Sequence, residues 1–133
     1  MKRFCVRVSQ MAVIAGTAFA AFAADDPNIL DPTRSGVQEA MKEHITENTV
    51  GDKYVIYDAV EGKLKRLDFA ELHKGVVRKG AFLVSCADFH DGDGEKYDLD
   101  FLVVQKGYNF HVLQALVHKV GDVKRKYHVE DAE

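Results

Sequence analysis

The stretch FLVSCADFHDGDGEKYDLDFLV, residues 82–103, decides the fold class of this chain. Its middle, Asp91-Gly92-Asp93-Gly94, is typical of a β-hairpin turn, because Asp-Gly pairs readily adopt the backbone angles that such turns require. After this turn, apolar residues alternate with Asp98 and Asp100, which is the period of a strand with one buried face. We therefore predict two antiparallel strands joined at residues 91–94.

Similar short segments lie on both sides of this hairpin. β-Branched and aromatic residues are concentrated at 54–60, 64–69, 108–120 and 123–129, with turn residues between the segments. Gly75 and Gly80 bracket a further predicted turn over the four residues between them. Connections this short join antiparallel neighbours, since parallel strands need long crossovers. The pattern predicts an antiparallel sheet of about five or six strands.

One amphipathic helix is predicted ahead of the sheet, at residues 36–48. Ser35 and Gln38 form a capping-box pattern at its start. Its apolar positions recur every four residues, at Val37, Met41 and Ile45. The residues before it, 24–34, contain both prolines of the protein and are predicted to form an extended leader. One helix on a curved antiparallel sheet makes a single α+β domain over residues 35–133.

The first 23 residues have the pattern of a secretory signal peptide. A basic start without acids precedes the uncharged run MAVIAGTAFAAF, residues 11–22. Small residues then stand at the expected cleavage site between Ala23 and Ala24. The apolar run is shorter than the roughly 20 residues that span a bilayer. We therefore expect an exported chain, periplasmic or secreted, with no stable membrane anchor after cleavage.

Cleavage at this site changes the charge and the cysteine content. The whole chain has 18 Lys and Arg against 21 Asp and Glu, a net charge of −3. Loss of the three basic residues of the signal leaves 15 against 21, a net charge of −6. Nucleic acid is therefore not an expected partner, because phosphate binding needs a surplus of basic residues. Cleavage also removes Cys5 and leaves Cys86, which excludes an intramolecular disulfide.

The order of elements over residues 35–129 resembles the cystatin-like folds, a group that includes the nuclear-transport-factor-2-like proteins. The resemblance implies a helix packed on a curved antiparallel sheet. The chain lacks the Gln-x-Val-x-Gly hairpin of the cystatin inhibitors, and it has one predicted helix where the related enzymes have several around a deep pocket. The stretches His73-Lys74-Gly75 and Cys86-Ala87-Asp88-Phe89 are also similar to small bacterial exported proteins, which implies no particular activity.

The predicted hairpin turn carries the densest group of polar residues. Asp91, Asp93 and Glu95 alternate as calcium ligands do at the beginning of an EF-hand loop. The match ends there, because Gly94 comes two positions early and Leu102 stands where the loop needs a glutamate. Solvated acids of an Asp-Gly turn are the simpler interpretation, and weak calcium binding is the alternative.

Four residues are candidates for acid–base catalysis, namely His90, Asp98, Asp100 and His111. Asp98 and Asp100 share a face of one predicted strand, and Asp88 and His90 lie on its probable partner. A carboxylate pair acts in acid–base catalysis when a cleft raises the pKa of one member. The solvent face of an amphipathic strand is the simpler interpretation.

Six histidines lie in the predicted mature chain. His118 and His128 flank the Gly121-Asp122 turn, and such a pair would bind a transition metal if the two rings faced each other across a hairpin. His111 cannot join His118 on one regular strand, since seven residues place them about 23 Å apart.

Cys86 is predicted to be a buried and inert cysteine. A nucleophilic thiol needs a neighbour that lowers its pKa, and His90 on the same strand lies about 13 Å away. A partner from another strand remains open.

The sequence favours a binding or interaction module over an enzyme. Its apolar positions account for a complete hydrophobic core, but no motif brings a set of catalytic residues together. The ligand, a small molecule or a protein, would lie between helix and sheet or along an exposed sheet edge. One alternative is a small hydrolase- or isomerase-like enzyme that uses Asp and His in a sheet-lined cleft. The other is a weak metal-binding protein. No cofactor is predicted.

Overall fold

The computed structural model describes residues 24–126. The predicted signal peptide with Ala23, and the predicted metal ligand His128, lie outside the described residues. In chain order the elements are α1 Asp31–Glu47, β1 Thr49–Val50, β2 Lys53–Asp58, β3 Lys63–Leu72, β4 Val77–Lys79, β5 Phe82–His90, β6 Lys96–Lys106, β7 Asn109–Val120 and β8 Val123–Lys124. No helix among these residues has the length and apolar character needed to cross a bilayer.

The α+β class is confirmed, and every strand pair of the sheet is antiparallel. Among residues 24–126 the sheet runs β1-β2-β3-β5-β6-β7-β8, with β4 paired beside β5, so it has eight strands instead of the predicted five or six. The strands that were not predicted are β1 and β4, which contain two and three residues, whereas β8 covers the first two residues of the predicted segment 123–129. Segments as short as β1 and β4 show no alternation of apolar residues from which the sequence would reveal them.

The predicted turn between Gly75 and Gly80 is a strand in the structure. Val77 pairs with Val84 and Lys79 pairs with Phe82, which makes β4 the partner of the first third of β5. The last part of β5 pairs with β3 instead. The glycine at position 80, with φ of 57°, forms the tight turn between β4 and β5.

The helix begins at Asp31, five residues before its predicted start. Pro32 lies in the first turn, where its missing amide hydrogen removes a donor that would have no helical partner. Ser35 is therefore inside the helix and does not cap it. Gln38 does not complete a capping box either, because its side-chain amide donates to the His73 carbonyl at 3.2 Å. The leader is correspondingly shorter than predicted.

Hydrogen bonds tie the leader to the loop that precedes β4. The Asp26 amide donates to the Val76 carbonyl at 2.9 Å, and the Val76 amide donates to the Asp25 carboxylate at 3.1 Å. Ile29 is buried in the core. A Cβ atom at position 75 would clash with the Ala24 carbonyl oxygen, so glycine is needed there for this close approach.

The core lies between α1 and one face of the curved sheet. The helix contributes Val37, Ala40, Met41 and Ile45. The sheet contributes fully buried side chains from its central strands, namely Leu67, Leu83, Ala87, Phe89, Leu99, Phe101 and Val103. An aromatic contact joins helix and sheet, since His44 of α1 lies edge-on to Phe101 with ring centroids 5.8 Å apart. Within the sheet, Tyr54 stacks on Phe89 with ring centroids 4.9 Å apart. Burial of these apolar surfaces is the main stabilising contribution to the fold.

A buried ion pair connects two strands that are distant in the sheet order. Arg125, which follows β8, places Nη2 at 2.8 Å from Oδ2 of Asp58 at the end of β2. Asp58 is fully buried, and its other carboxylate oxygen accepts a hydrogen bond from the Val60 amide at 3.0 Å. The sheet must curve strongly to bring these residues together.

We expect Arg125→Ala to lower the free energy of unfolding by about 3 kcal/mol, because the buried Asp58 carboxylate loses its countercharge. Urea denaturation in the presence of EDTA measures this change. Lys124→Ala is the matched control, since Lys124 is exposed and carries the same charge; its effect should stay within about 0.5 kcal/mol. Equally small effects of both substitutions would contradict the proposed role of the ion pair.

Candidate metal centre

The polar side chains of β5 and β6 lie on the sheet face opposite α1. Ala87 and Phe89 pack in the core, and successive side chains of a strand point to opposite faces, so Cys86 and Asp88 lie on the other side. The strand register pairs Cys86 with Asp100 and Asp88 with Asp98. One thiol and three carboxylates therefore form two neighbouring cross-strand pairs.

His118 joins these residues through a β-bulge in β7. Lys119 pairs with Asp98 and Val117 pairs with Leu99, so His118 is the extra residue between two consecutive pairs. A bulge redirects the side chain that it contains. The His118 Nδ1 atom lies 2.9 Å from Oδ1 of Asp100, and the same oxygen accepts a hydrogen bond from the Cys86 thiol at 3.0 Å.

His73, directly after β3, lies beside Asp88, on the side of these residues away from His118. Its amide donates to the Cys86 carbonyl at 2.9 Å, which fixes it beside β5. Its Nε2 atom lies 3.0 Å from Oδ1 of Asp88. The second oxygen of Asp88 lies 2.8 Å from Nζ of Lys96, whose side chain is half exposed.

Among residues 24–126, this geometry brings together two sets of side chains of the types that ligate metal ions. We call Cys86, Asp98, Asp100 and His118 the cysteine cluster, and His73, Asp88 and Asp98 the aspartate triplet. Within each set, one ligand atom from every residue lies within 4.8 Å of the others. Asp98 belongs to both sets. Four strands or strand ends supply these residues, so the arrangement exists only in the folded protein.

Negative charge is concentrated in this buried region. Asp88, Asp100 and His118 are all at most 5 % exposed. The Oδ2 atom of Asp100 and the Oδ1 atom of Asp98 are buried and accept no hydrogen bond from the described residues. Buried carboxylates without a compensating charge are costly. Among residues 24–126, Lys96 is the lysine or arginine that pairs with these acids.

The environment of Asp98 opposes its ionisation. Burial is the main cause that raises the pKa of its carboxyl group, and the neighbouring Asp88 and Asp100 raise it further. His73 and His118 act in the opposite direction. For Lys96, the hydrogen bond to Asp88 is the main cause that raises the pKa of the ammonium group. The region is thus short of positive charge, which a divalent cation would supply.

The structure brings some of the predicted site residues into the two sets and leaves others outside them. Asp98, Asp100 and His118 lie in the cysteine cluster. His90 pairs in register with Lys96 at the end of β5 and belongs to neither set. The partner opposite His118 across the β7–β8 hairpin is Arg125, whose amide donates to the His118 carbonyl at 2.7 Å.

The acids of the β5–β6 turn act on their own backbone. Oδ1 of Asp91 accepts hydrogen bonds from the amides of Asp93 and Glu95, each at 2.9 Å. This is the local bonding by which aspartate stabilises a turn. None of the three acids at positions 91, 93 and 95 belongs to either set of ligating side chains found among residues 24–126. Calcium binding by this turn stays a prediction.

His111 lies away from both sets, on a shallow depression between α1 and the start of β7. The lining includes Glu43, His44, Glu47 and Phe110 around a volume of about 170 Å³. His111 pairs with Val104, which is four residues from Asp100 along β6, or about 13 Å. The four catalytic candidates therefore do not converge in the structure.

The sequence interpretation placed Asp88 on the strand beside Asp98 and Asp100, but it did not connect Cys86 or His73 with them. The register of the predicted hairpin was the available signal for Cys86, because a turn at 91–94 places Cys86 opposite Asp100 and Asp88 opposite Asp98. No sequence pattern indicates the bulge that brings in His118, nor the position of His73 at the end of β3.

No family model, curated protein or solved structure matches this chain. The resemblance to the cystatin-like folds accordingly stays a prediction from the order of the elements.

Asp98→Asn should stabilise the metal-free protein at neutral pH. Because the pKa of Asp98 is raised above the ordinary value of 3.8, the folded state binds this proton more tightly than the unfolded state. The stability that protonated Asp98 contributes is fully present below pH 3.8, and it is lost as the pH rises through the pKa of Asp98 in the folded state. Urea denaturation in EDTA at pH 4 and pH 7 should show an advantage of the variant that grows with pH. An advantage that is absent, or equal at both values, would contradict this electrostatic account.

Proposed function

We propose that this protein is an exported binding module whose ligand is a divalent transition-metal ion, held by the cysteine cluster. The carrying observation is the convergence of one thiol, one imidazole and two carboxylates, with ligand atoms within 4.8 Å of one another in a mostly buried position. This proposal unites two predictions from the sequence, a binding module and a metal-binding protein, and gives the ligand a chemical class.

The donor set favours zinc. Zinc accepts thiolate, imidazole and carboxylate ligands, usually four in a tetrahedral arrangement. Calcium and magnesium prefer oxygen ligands throughout, so the thiol of Cys86 and the ring of His118 argue against them. Four protein ligands are the number found in closed sites that bind the ion without a reacting water. The cluster therefore supports binding more than catalysis.

The contacts of Cys86 argue against a thiol enzyme. Its Sγ atom donates a hydrogen bond to Asp100 within the sheet, so the thiol proton is held by a neighbouring acid. Cys86 is also 6 % exposed, which leaves little access for a substrate. A bound metal ion would convert the thiol of Cys86 into a thiolate ligand, because metal coordination deprotonates a thiol.

The expected export of the chain supports the same function. The N-terminal pattern of residues 1–23 predicts secretion, and Cys86 would then be the one cysteine of the mature chain. In an oxidising compartment, a cysteine without an intramolecular disulfide partner is prone to oxidation unless it is buried or bound to a metal ion. In the cysteine cluster Cys86 is buried, and a bound ion would coordinate its sulfur.

We expect the mature chain to bind at least one zinc ion, as measured by native mass spectrometry and by competition with a chromophoric chelator. Zinc at about a thousandfold above its dissociation constant should raise the free energy of unfolding by about 4 kcal/mol. Cobalt should give the charge-transfer absorption of a Co²⁺–thiolate bond. A chain that binds neither ion would contradict the proposal.

Cys86→Ala and His118→Ala should each weaken the tightest zinc binding by about 100-fold or more, because each removes a direct ligand. His111→Ala is the matched control, since His111 lies at the depression beside α1 and should leave the affinity unchanged. Far-UV circular dichroism shows whether each variant folds. Equal zinc affinity of Cys86→Ala and the unaltered chain would place the ion elsewhere.

A further inference from the structure

We infer that the aspartate triplet is a second metal site, and that Asp98 bridges its ion to the ion of the cysteine cluster. This inference rests on the proposed function, because it assigns a two-metal centre to the same buried region. Asp98 has a ligand oxygen within 4.8 Å of the ligand atoms of both sets. Carboxylates have two oxygens and bridge metal ions that lie about 3.5–4 Å apart.

The position of Asp98 in the sheet explains how one residue reaches both sets. It stands opposite Asp88 on β5 and opposite Lys119 on β7, next to the bulge that carries His118. His73 approaches from the β3 side and His118 from the β7 side. Asp98 is thus the central member of a row of ligands that runs across the sheet.

The two sites differ in their donors and in their access to solvent. The aspartate triplet has no thiol and provides three protein ligands, which leaves a position for water on a four-coordinate ion. Its His73 side chain is 18 % exposed, whereas His118 in the cysteine cluster is almost completely buried. We therefore expect the second ion to bind more weakly and to exchange faster than the first.

Independent observations point to a ligand at this second site. Nδ1 of His73 and Oδ1 of Asp88 are buried and form no hydrogen bond with the described residues, although Oδ1 of Asp88 lies 3.0 Å from Nε2 of His73. Oδ1 of Asp98 is also buried and forms no hydrogen bond with the described residues. Asp88 is 5 % exposed, so its carboxylate cannot be satisfied by bulk water.

Lys96 is the competitor for the second ion. Its Nζ atom lies 2.8 Å from Oδ2 of Asp88 and neutralises this carboxylate in the metal-free protein. A cation in the aspartate triplet would bind close to that ammonium group and would be repelled by it. Because the Lys96 side chain is half exposed, it has room to move away when the ion binds.

The stoichiometry of the full mature chain tests this inference. Native mass spectrometry at increasing zinc should show two ions per chain, and His73→Ala and Asp88→Asn should each retain one. In a cobalt titration the thiolate charge-transfer band should saturate at one equivalent, while the d–d bands continue to grow to two. His90→Ala is the matched control and should keep both ions.

Lys96→Met should tighten the second ion about fivefold and leave the first unchanged, because it removes a like charge at the partly exposed site. Lys96→Met keeps every ligand of both sets, so this test does not rely on a variant that has lost a ligand. Exchange coupling between two bound Co²⁺ ions, seen by electron paramagnetic resonance, should disappear in Asp98→Asn.

The outcomes separate the two proposals. One ion in the unaltered chain and one in His73→Ala would overturn the second site and leave the proposed function intact. Two ions in both proteins would also overturn it, because the second ion would then lie elsewhere. A chain that binds no ion would overturn both proposals.

Discussion

The antiparallel register of β5 and β6 is the constraint on which the rest of the structure depends. It places Phe89 and Leu99 on the side of α1, where they complete the core. The same register places Cys86 opposite Asp100 on the other side. Since a shift by one residue would exchange the two faces of a strand, core and polar cluster are specified together. A sheet that packs correctly on the helix must therefore also assemble these ligands.

This coupling has an electrostatic consequence. The folded sheet brings Asp88, Asp98 and Asp100 close together and buries two of them almost completely. Repulsion between these acids and their desolvation therefore make the free energy of folding less favourable, unless a cation or protons balance their charge. Metal binding would convert this unfavourable term into a favourable one, since ligands that are assembled only in the folded state link ion binding to folding. The buried Asp58–Arg125 pair shows the alternative solution, in which the chain supplies its own countercharge.

The sequence predicted the α+β class, the single helix and the central hairpin, because alternation over 97–103 and the Asp-Gly turn are local signals. It predicted neither the start of α1 at Asp31 nor the strands β1 and β4. A proline in the first helical turn is equally typical of a loop, and two or three paired residues show no alternation. Asp98 and Asp100 were identified as candidates from their shared face. His73 and His118 enter the site through the end of β3 and through a bulge, which depend on tertiary packing and leave no local pattern.

In the proposed metal centre, Cys86, Asp98, Asp100 and His118 surround a transition-metal ion on this sheet face. The most direct test is a crystal structure of the zinc-loaded mature chain with anomalous diffraction recorded on both sides of the zinc absorption edge. We expect an anomalous peak between these four side chains, with a zinc–sulfur distance of about 2.3 Å to Cys86. Zinc peaks confined to surface histidines or to the Asp91 turn, with Cys86 still hydrogen-bonded to Asp100, would contradict it.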